Sequence, residues 1–113
     1  MNALHNLEHK ELMAVIQLGY QLIISANYGS MEDDDEPSID LVMSHLGYTP
    51  NNSNLVWLVG INTNPFEAFD IVSQFSDEKK RAFKAMILDV SNLKKTMLRL
   101  DIASQIFSRV GIQ

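Results

Sequence analysis

Two stretches of this sequence hold residue types able to do chemistry. Glu32, Asp33, Asp34, Asp35 and Glu36 are five consecutive carboxylates, closed by Pro37. A hard divalent cation such as Ca²⁺ or Mg²⁺ prefers clustered carboxylate oxygens, so all five are candidate ligands for weak metal binding. The spacing is not that of an EF-hand. Counted from Asp33, position 6 is Ser38 where the sharp turn needs glycine, and position 12 is Ser44 where the bidentate carboxylate belongs. Adjacent carboxylates on a loop also repel one another and need ordering before they converge on one ion. The plainer expectation is a solvated loop that aids solubility and favours the N-terminus of the helix after it. An acidic docking patch for a basic partner is the third reading.

His5-Asn6-Leu7-Glu8-His9 spells H-x-x-E-H, a zinc-peptidase pattern. On one helix His5 and His9 would share a face a turn apart, a spacing that can grip Zn²⁺, with Glu8 as base. A third ligand would have to come from Glu67, Glu78 or His45. A catalytic zinc also needs an enclosed site with supporting contacts, which a stretch so near the chain's start does not supply. Surface zinc is the better expectation for this motif, and a zinc hydrolase is a remote alternative. Neither a phosphate-cradling glycine loop nor a serine–histidine–acid order is present. No small-molecule substrate is indicated, and the chain reads as non-catalytic.

The acidic run also carries the whole net charge. The chain has 14 acidic and 9 basic residues, a net charge of −5; without the five the balance is 9 to 9. That sign argues against binding a nucleic-acid backbone. Lys79, Lys80, Arg81, Lys84, Lys94, Lys95 and Arg99 make the C-terminal half basic. Such a face is either solvated or meets an acidic partner, including another copy's acidic run in a head-to-tail association. Cysteine is absent, which excludes disulfides and thiolate metal sites. The first residues carry charges where a signal peptide needs an apolar core. The most apolar stretch, 13–26, is interrupted by Gln17, Gly19, Tyr20, Gln21 and Ser25, and is too short for a membrane span. A cytoplasmic location is expected.

Helices must position these groups. Leu4, Leu7, Glu11, Ala14 or Val15, Leu18, Leu22 and Ser25 or Ala26 keep the spacing of one helical face over about 4–26, with Glu11 spoiling the apolar count. Asn27-Tyr28-Gly29-Ser30 ends that helix. Pro37 suits the first turn of a second helix that buries Ile39, Val42, Met43 and Leu46 and stops at Gly47. Residues 55–61 (LVWLVGI) have strand-like composition but no partner strand, so a short buried helix with Trp57 in the core and Ser53 as a cap is expected. Asn64-Pro65-Phe66-Glu67 is a clear helix start. The helix it opens should bury Phe66, Phe69, Ile71 or Val72 and Phe75. Ser76 caps a further helix burying Phe83, Met86, Ile87 and Val90. Positions 91–96 read as a connector to a last helix, about 98–110, that buries Leu98, Ile102, Ile106 or Phe107 and Val110.

A shift of 64 positions aligns the two ends of the chain. Leu22, Ile23, Ile24 and Ala26 fall on Met86, Ile87, Leu88 and Val90; Ile39, Val42, Met43 and Leu46 fall on Ala103, Ile106, Phe107 and Val110. Two similar helix–loop–helix units follow. The plan resembles the tellurite-resistance TerB-like family of helical domains, in which helix–acidic turn–helix units recur. Ala26-Asn27-Tyr28-Gly29-Ser30-Met31, the acidic run and the ending Leu46-Gly47-Tyr48 look like the first unit, and 85–112 like the second. Asn27 stands where that family's turn aspartate would be, and Val90-Ser91-Asn92-Leu93-Lys94-Lys95 lacks an acidic residue. A metal role implied by the resemblance would rest on the first unit.

The sequence therefore describes an all-α, compact single domain over 1–113, a bundle of five or six helices. The expected function is a protein-interaction module, with a protein partner or self-association, and a stress-response setting implied by the resemblance alone. Divalent-cation binding by Glu32, Asp33, Asp34, Asp35 and Glu36 is the alternative.

Overall fold

The computed structural model describes residues 2–49, 54–94 and 97–113. Within them lie six α-helices: α1 His9–Ala26, α2 Glu36–His45, α3 Asn54–Ile61, α4 Pro65–Ser73, α5 Asp77–Leu93 and α6 Met97–Val110, with 3₁₀ turns at Ala3–Asn6 and Asp33–Asp35. No strand occurs among the described residues. The Cα radius of gyration is 12.6 Å, that of one compact domain.

The local start signals act as their chemistry dictates. Asn64 Oδ1 accepts from the backbone N–H groups of Phe66 and Glu67 at 2.8 and 3.3 Å, with Pro65 opening α4. Ser76 Oγ accepts from the Lys79 N–H at 3.2 Å to open α5. The expected Ser53 cap lies outside the described residues, as do positions 95 and 96 of the expected connector. That connector is also shorter than expected. α5 continues through Ser91 to Leu93, with the Ser91 hydroxyl turned inward to donate to the Ile87 carbonyl at 2.8 Å.

The two-unit plan is visible in the backbone. Gly47 and Gly111, 64 apart, both take left-handed φ, 88° and 75°. Gly47 N–H donates to the Ser44 carbonyl at 3.0 Å and Tyr48 N–H to that of Met43 at 3.0 Å. Gly111 N–H donates to Ser108 at 3.4 Å and Ile112 N–H to Phe107 at 2.8 Å, the same bonds moved by 64 residues. Packing follows the repeat: α1 lies on α6 as α2 lies on α5. The core between them holds Leu18, Leu22, Ile23, Val42, Met43, Phe83, Met86, Ile87, Val90, Ile106 and Val110, all buried.

The expected first helix is broken. Asn2 caps a 3₁₀ turn, Leu7 is extended, and α1 starts afresh at His9 with a reciprocal Glu8–Glu11 capping box. Glu11 Oε1 accepts from the Glu8 N–H at 3.0 Å. The same carboxylate takes Lys79 Nζ at 3.0 Å, so the one residue that spoils the apolar stripe ties α1 to α5. Partial burial pushes the Glu11 carboxyl up, but the Glu8 N–H and Lys79 together outweigh it and hold it below its ordinary value.

The linking helices pack on one side of this pair, α3 and α4 both against α1. Gln17, buried inside α1, donates from Nε2 to the carbonyls of Gly60, Ile61 and Thr63 at 3.2, 3.0 and 2.8 Å, satisfying the end of α3. At Gly60 the backbone of α3 meets α1 so closely that a Cβ there would stand 2.3 Å from Ile16 Cγ2. Trp57 completes the contact, its ring edge-on to Tyr20 at 6.1 Å.

Candidate functional site

The acidic run is a built structure. After the turn at the end of α1, Glu32 is extended and Asp33–Asp35 wind into the 3₁₀ turn that leads into α2. Asp35 is 0% exposed. Its Oδ2 accepts from the Glu32 N–H at 2.9 Å and from the Asn27 side-chain amide. Its Oδ1 accepts from Arg99 Nη2 at 3.2 Å. Arg99, on α6, is likewise 0% exposed and donates from Nη1 to Ser38 Oγ at 3.1 Å and to the Val90 carbonyl at 2.9 Å. Burial pushes the Arg99 guanidinium down, against the pull of Asp35 and Asp34.

This overturns the expectation of a wholly solvated loop. A carboxylate removed from water needs a charge partner and hydrogen bonds on its remaining lone pairs, and Asp35 has both. Asn27 also acquires a reason. Its amide donates to Asp35, where an aspartate at position 27 would set two carboxylates against each other. Asp35 and Arg99 are 64 residues apart, the period of the repeat. Equivalent residues that touch lie where the two units meet, so this pair sits at their join. The repeat held the signal for Arg99, since it puts opposite charges at equivalent positions. Sequence reasoning instead placed Arg99 on the basic surface.

Of the five predicted ligands, the fold brings three together. Glu32, Asp34 and Asp35 each offer an oxygen within 4.8 Å of the others. Asp33 and Glu36 are exposed and outside that group. Lys94 Nζ stands among the three, 3.2 Å from Asp34, 3.5 Å from Glu32 and 3.8 Å from Asp35. The Asp34 hydrogen bond, backed by the three negative charges, raises the Lys94 ammonium above its ordinary pKa. A divalent ion would have to displace this ammonium and compete with Arg99 for Asp35. Lys94 and Arg99 are thereby engaged within the chain, which removes two of the cations that head-to-tail association would use.

The histidine motif is taken apart by the helix break. His5 belongs to the first 3₁₀ turn, with its ring beside Gly47, while His9 opens α1, and both are exposed. Glu8 caps α1. Among the described residues, His5, Glu8 and His9 belong to no group of three converging ligand atoms. Glu67 lines a groove with His9, but His45 Nε2 pairs with Asp89 at 2.8 Å.

The third feature is α3. It is a helix, as expected, with Trp57 buried, but it is not a buried helix. Leu55, Leu58 and Val59 are 74%, 53% and 46% exposed. With exposed Asn62 they fall at i, i+3, i+4 and i+7, a single stripe facing away from the core. Two apolar grooves run beside the stripe. One, about 230 Å³, has Met13, Ala14, Val59, Ala68 and Ile71 in its walls; the other, about 220 Å³, lies over Leu12, Met13, Tyr48 and Leu55. No Asp, Glu, Lys or Arg occurs at positions 41–66. Phe66, expected in the core, is also 70% exposed, where the start of α4 leaves the bundle.

No family model matches the chain, and neither a curated protein nor a solved structure matches it. Among the described residues no helix is long and apolar enough to cross a membrane.

Proposed function

We propose that this chain is a non-catalytic helical interaction module whose docking surface is the outer face of α3. The observation that carries this reading is the exposed stripe of Leu55, Leu58 and Val59 within an uncharged segment. Single exposed leucines are ordinary on protein surfaces. A contiguous apolar stripe with apolar grooves beside it is the usual mark of a protein contact. Folding gives no reason for it, because Gln17, Gly60 and Trp57 already hold α3 on α1 from the inner side. The TerB-like resemblance adds a stress-response setting to the proposal. Cation binding at Glu32, Asp34 and Asp35 has weaker support, since Lys94 stands among those carboxylates.

The test is site-specific photo-crosslinking in cell extract. A photoreactive side chain at Leu58 should give a discrete adduct that Leu55→Glu removes, while the same group at exposed Ser104 on α6 gives none. Equal adducts at both positions, or none at either, would overturn the reading.

A further inference from the structure

Resting on the proposal that α3 is a docking surface, we infer that its occupant is a second copy of this chain, packed two-fold with α3 against α3. A two-fold contact uses the same patch on both partners, so the patch must complement itself in shape and in charge. The α3 face meets both conditions. It carries a ridge, Leu55 and Leu58, beside an apolar groove walled by Met13, Ala14, Ala68 and Ile71. Turned over the two-fold, each ridge faces the other copy's groove.

Charge points the same way. A molecule with net charge −5 repels its own copies, so a face without formal charge is where two copies meet at least cost. Positions 41–66 contribute no formal charge, and Lys10 and Glu67, which line the groove, are of opposite sign. In a two-fold pair such rim charges can oppose their opposites, as electrostatic complementarity requires. A strongly basic or acidic partner would find nothing on this face to recognise. The seam is short, an eight-residue helix of roughly 12 Å. A seam this short belongs with the small interfaces, so the dimer is a weak, concentration-dependent one.

Sedimentation equilibrium of the purified chain from about 1 μM to about 1 mM should show the average mass rising from monomer toward dimer. Leu58→Glu should weaken association at least about tenfold, with an unchanged melting curve because the side chain is largely outside the core. The chain has no cysteine, so single-cysteine variants report proximity without background. Leu58→Cys should cross-link to itself with a short bismaleimide, and Ser104→Cys should not. A monomer throughout the range, a Leu58→Glu variant that dimerises like the parent, or equal cross-linking at both cysteines would overturn the second-copy inference. If the purified chain stays monomeric while extract still yields the Leu58 adduct, only the identity of the occupant fails. Loss of both results removes the docking surface itself.

Discussion

Asp35 lies in the most charged segment of the chain and is fully buried, whereas Leu55 lies in the least charged and is 74% exposed. Each is placed against its own hydropathy, and the reason differs. Asp35 can leave water because Arg99, Asn27 and the Glu32 backbone replace the hydration it loses. Leu55 stays in water because α3 meets α1 through its other side, where Gly60 lets the α3 backbone close on the Ile16 side chain and Gln17 holds the helix end. A charge therefore marks the surface only if nothing across the fold can neutralise it. An apolar residue marks the core only if its face of the helix is the one that docks.

The largest effect should come from breaking the buried pair. Asp35→Ala leaves the Arg99 guanidinium in the interior without its carboxylate, a loss of about 3–5 kcal/mol for a buried ion pair cut on one side. For a domain of this size that is a large share of the total stability. Arg99→Met alone strands Asp35 and should cost a similar amount. Combining Asp35→Leu with Arg99→Met should recover much of the loss, because an apolar pair no longer carries the desolvation of either ion. Urea unfolding of the single and double variants reads this directly. If Asp35→Ala unfolds like the parent, Asp35 is a solvated loop residue and the contrast with Leu55 collapses.

The next effect concerns the other region. Gly60→Ala would set a methyl 2.3 Å from Ile16 Cγ2 and 2.6 Å from its Cβ, so the contact between α3 and α1 must shift to admit it. Overpacking of this kind costs roughly 1–3 kcal/mol. The fall in melting temperature should come with a change in Trp57 fluorescence, since Trp57 shares that contact with Tyr20. An unchanged emission spectrum would mean that α3 is not held by its inner side, and the exposure of Leu55 would then need another cause.

The helices were legible because their signals are local. Asn64-Pro65, Ser76, Gly47 and Gly111 act through hydrogen bonds or backbone angles a few residues away, and all four do what their types require. The break at Leu7 and Glu8 was missed because the apolar spacing runs straight through it, while the Glu8–Glu11 capping box that restarts the helix uses two acids not usually read as a start. The candidate site was half legible. Convergence of Glu32, Asp34 and Asp35 could be suspected from adjacency, but Lys94 and Arg99 arrive from about sixty residues away, and only the 64-residue repeat hinted at the second. The outward face of α3 carried no signal at all. LVWLVGI is apolar all round, so no polar stripe told inside from outside, and the clue was Gly60, where only a missing side chain permits close approach.

The smallest effect tests whether the acidic turn is closed to cations because Lys94 fills it. With its pKa raised in the folded chain, Lys94 contributes stability that is fully present below the ordinary lysine value and is lost as pH rises through the raised one. Lys94→Gln should therefore melt slightly lower than the parent at neutral pH, and the two should converge in strong alkali. Millimolar Mg²⁺ should leave the parent's melting temperature unchanged and raise that of Lys94→Gln, because the variant leaves Glu32 and Asp34 without their ammonium. Asp33→Asn should alter neither result, since Asp33 stands outside the converging group. A parent chain that Mg²⁺ stabilises, with Asp33→Asn abolishing the effect, would turn the turn back into a metal site built from its exposed carboxylates and leave Asp35 as a bystander to it.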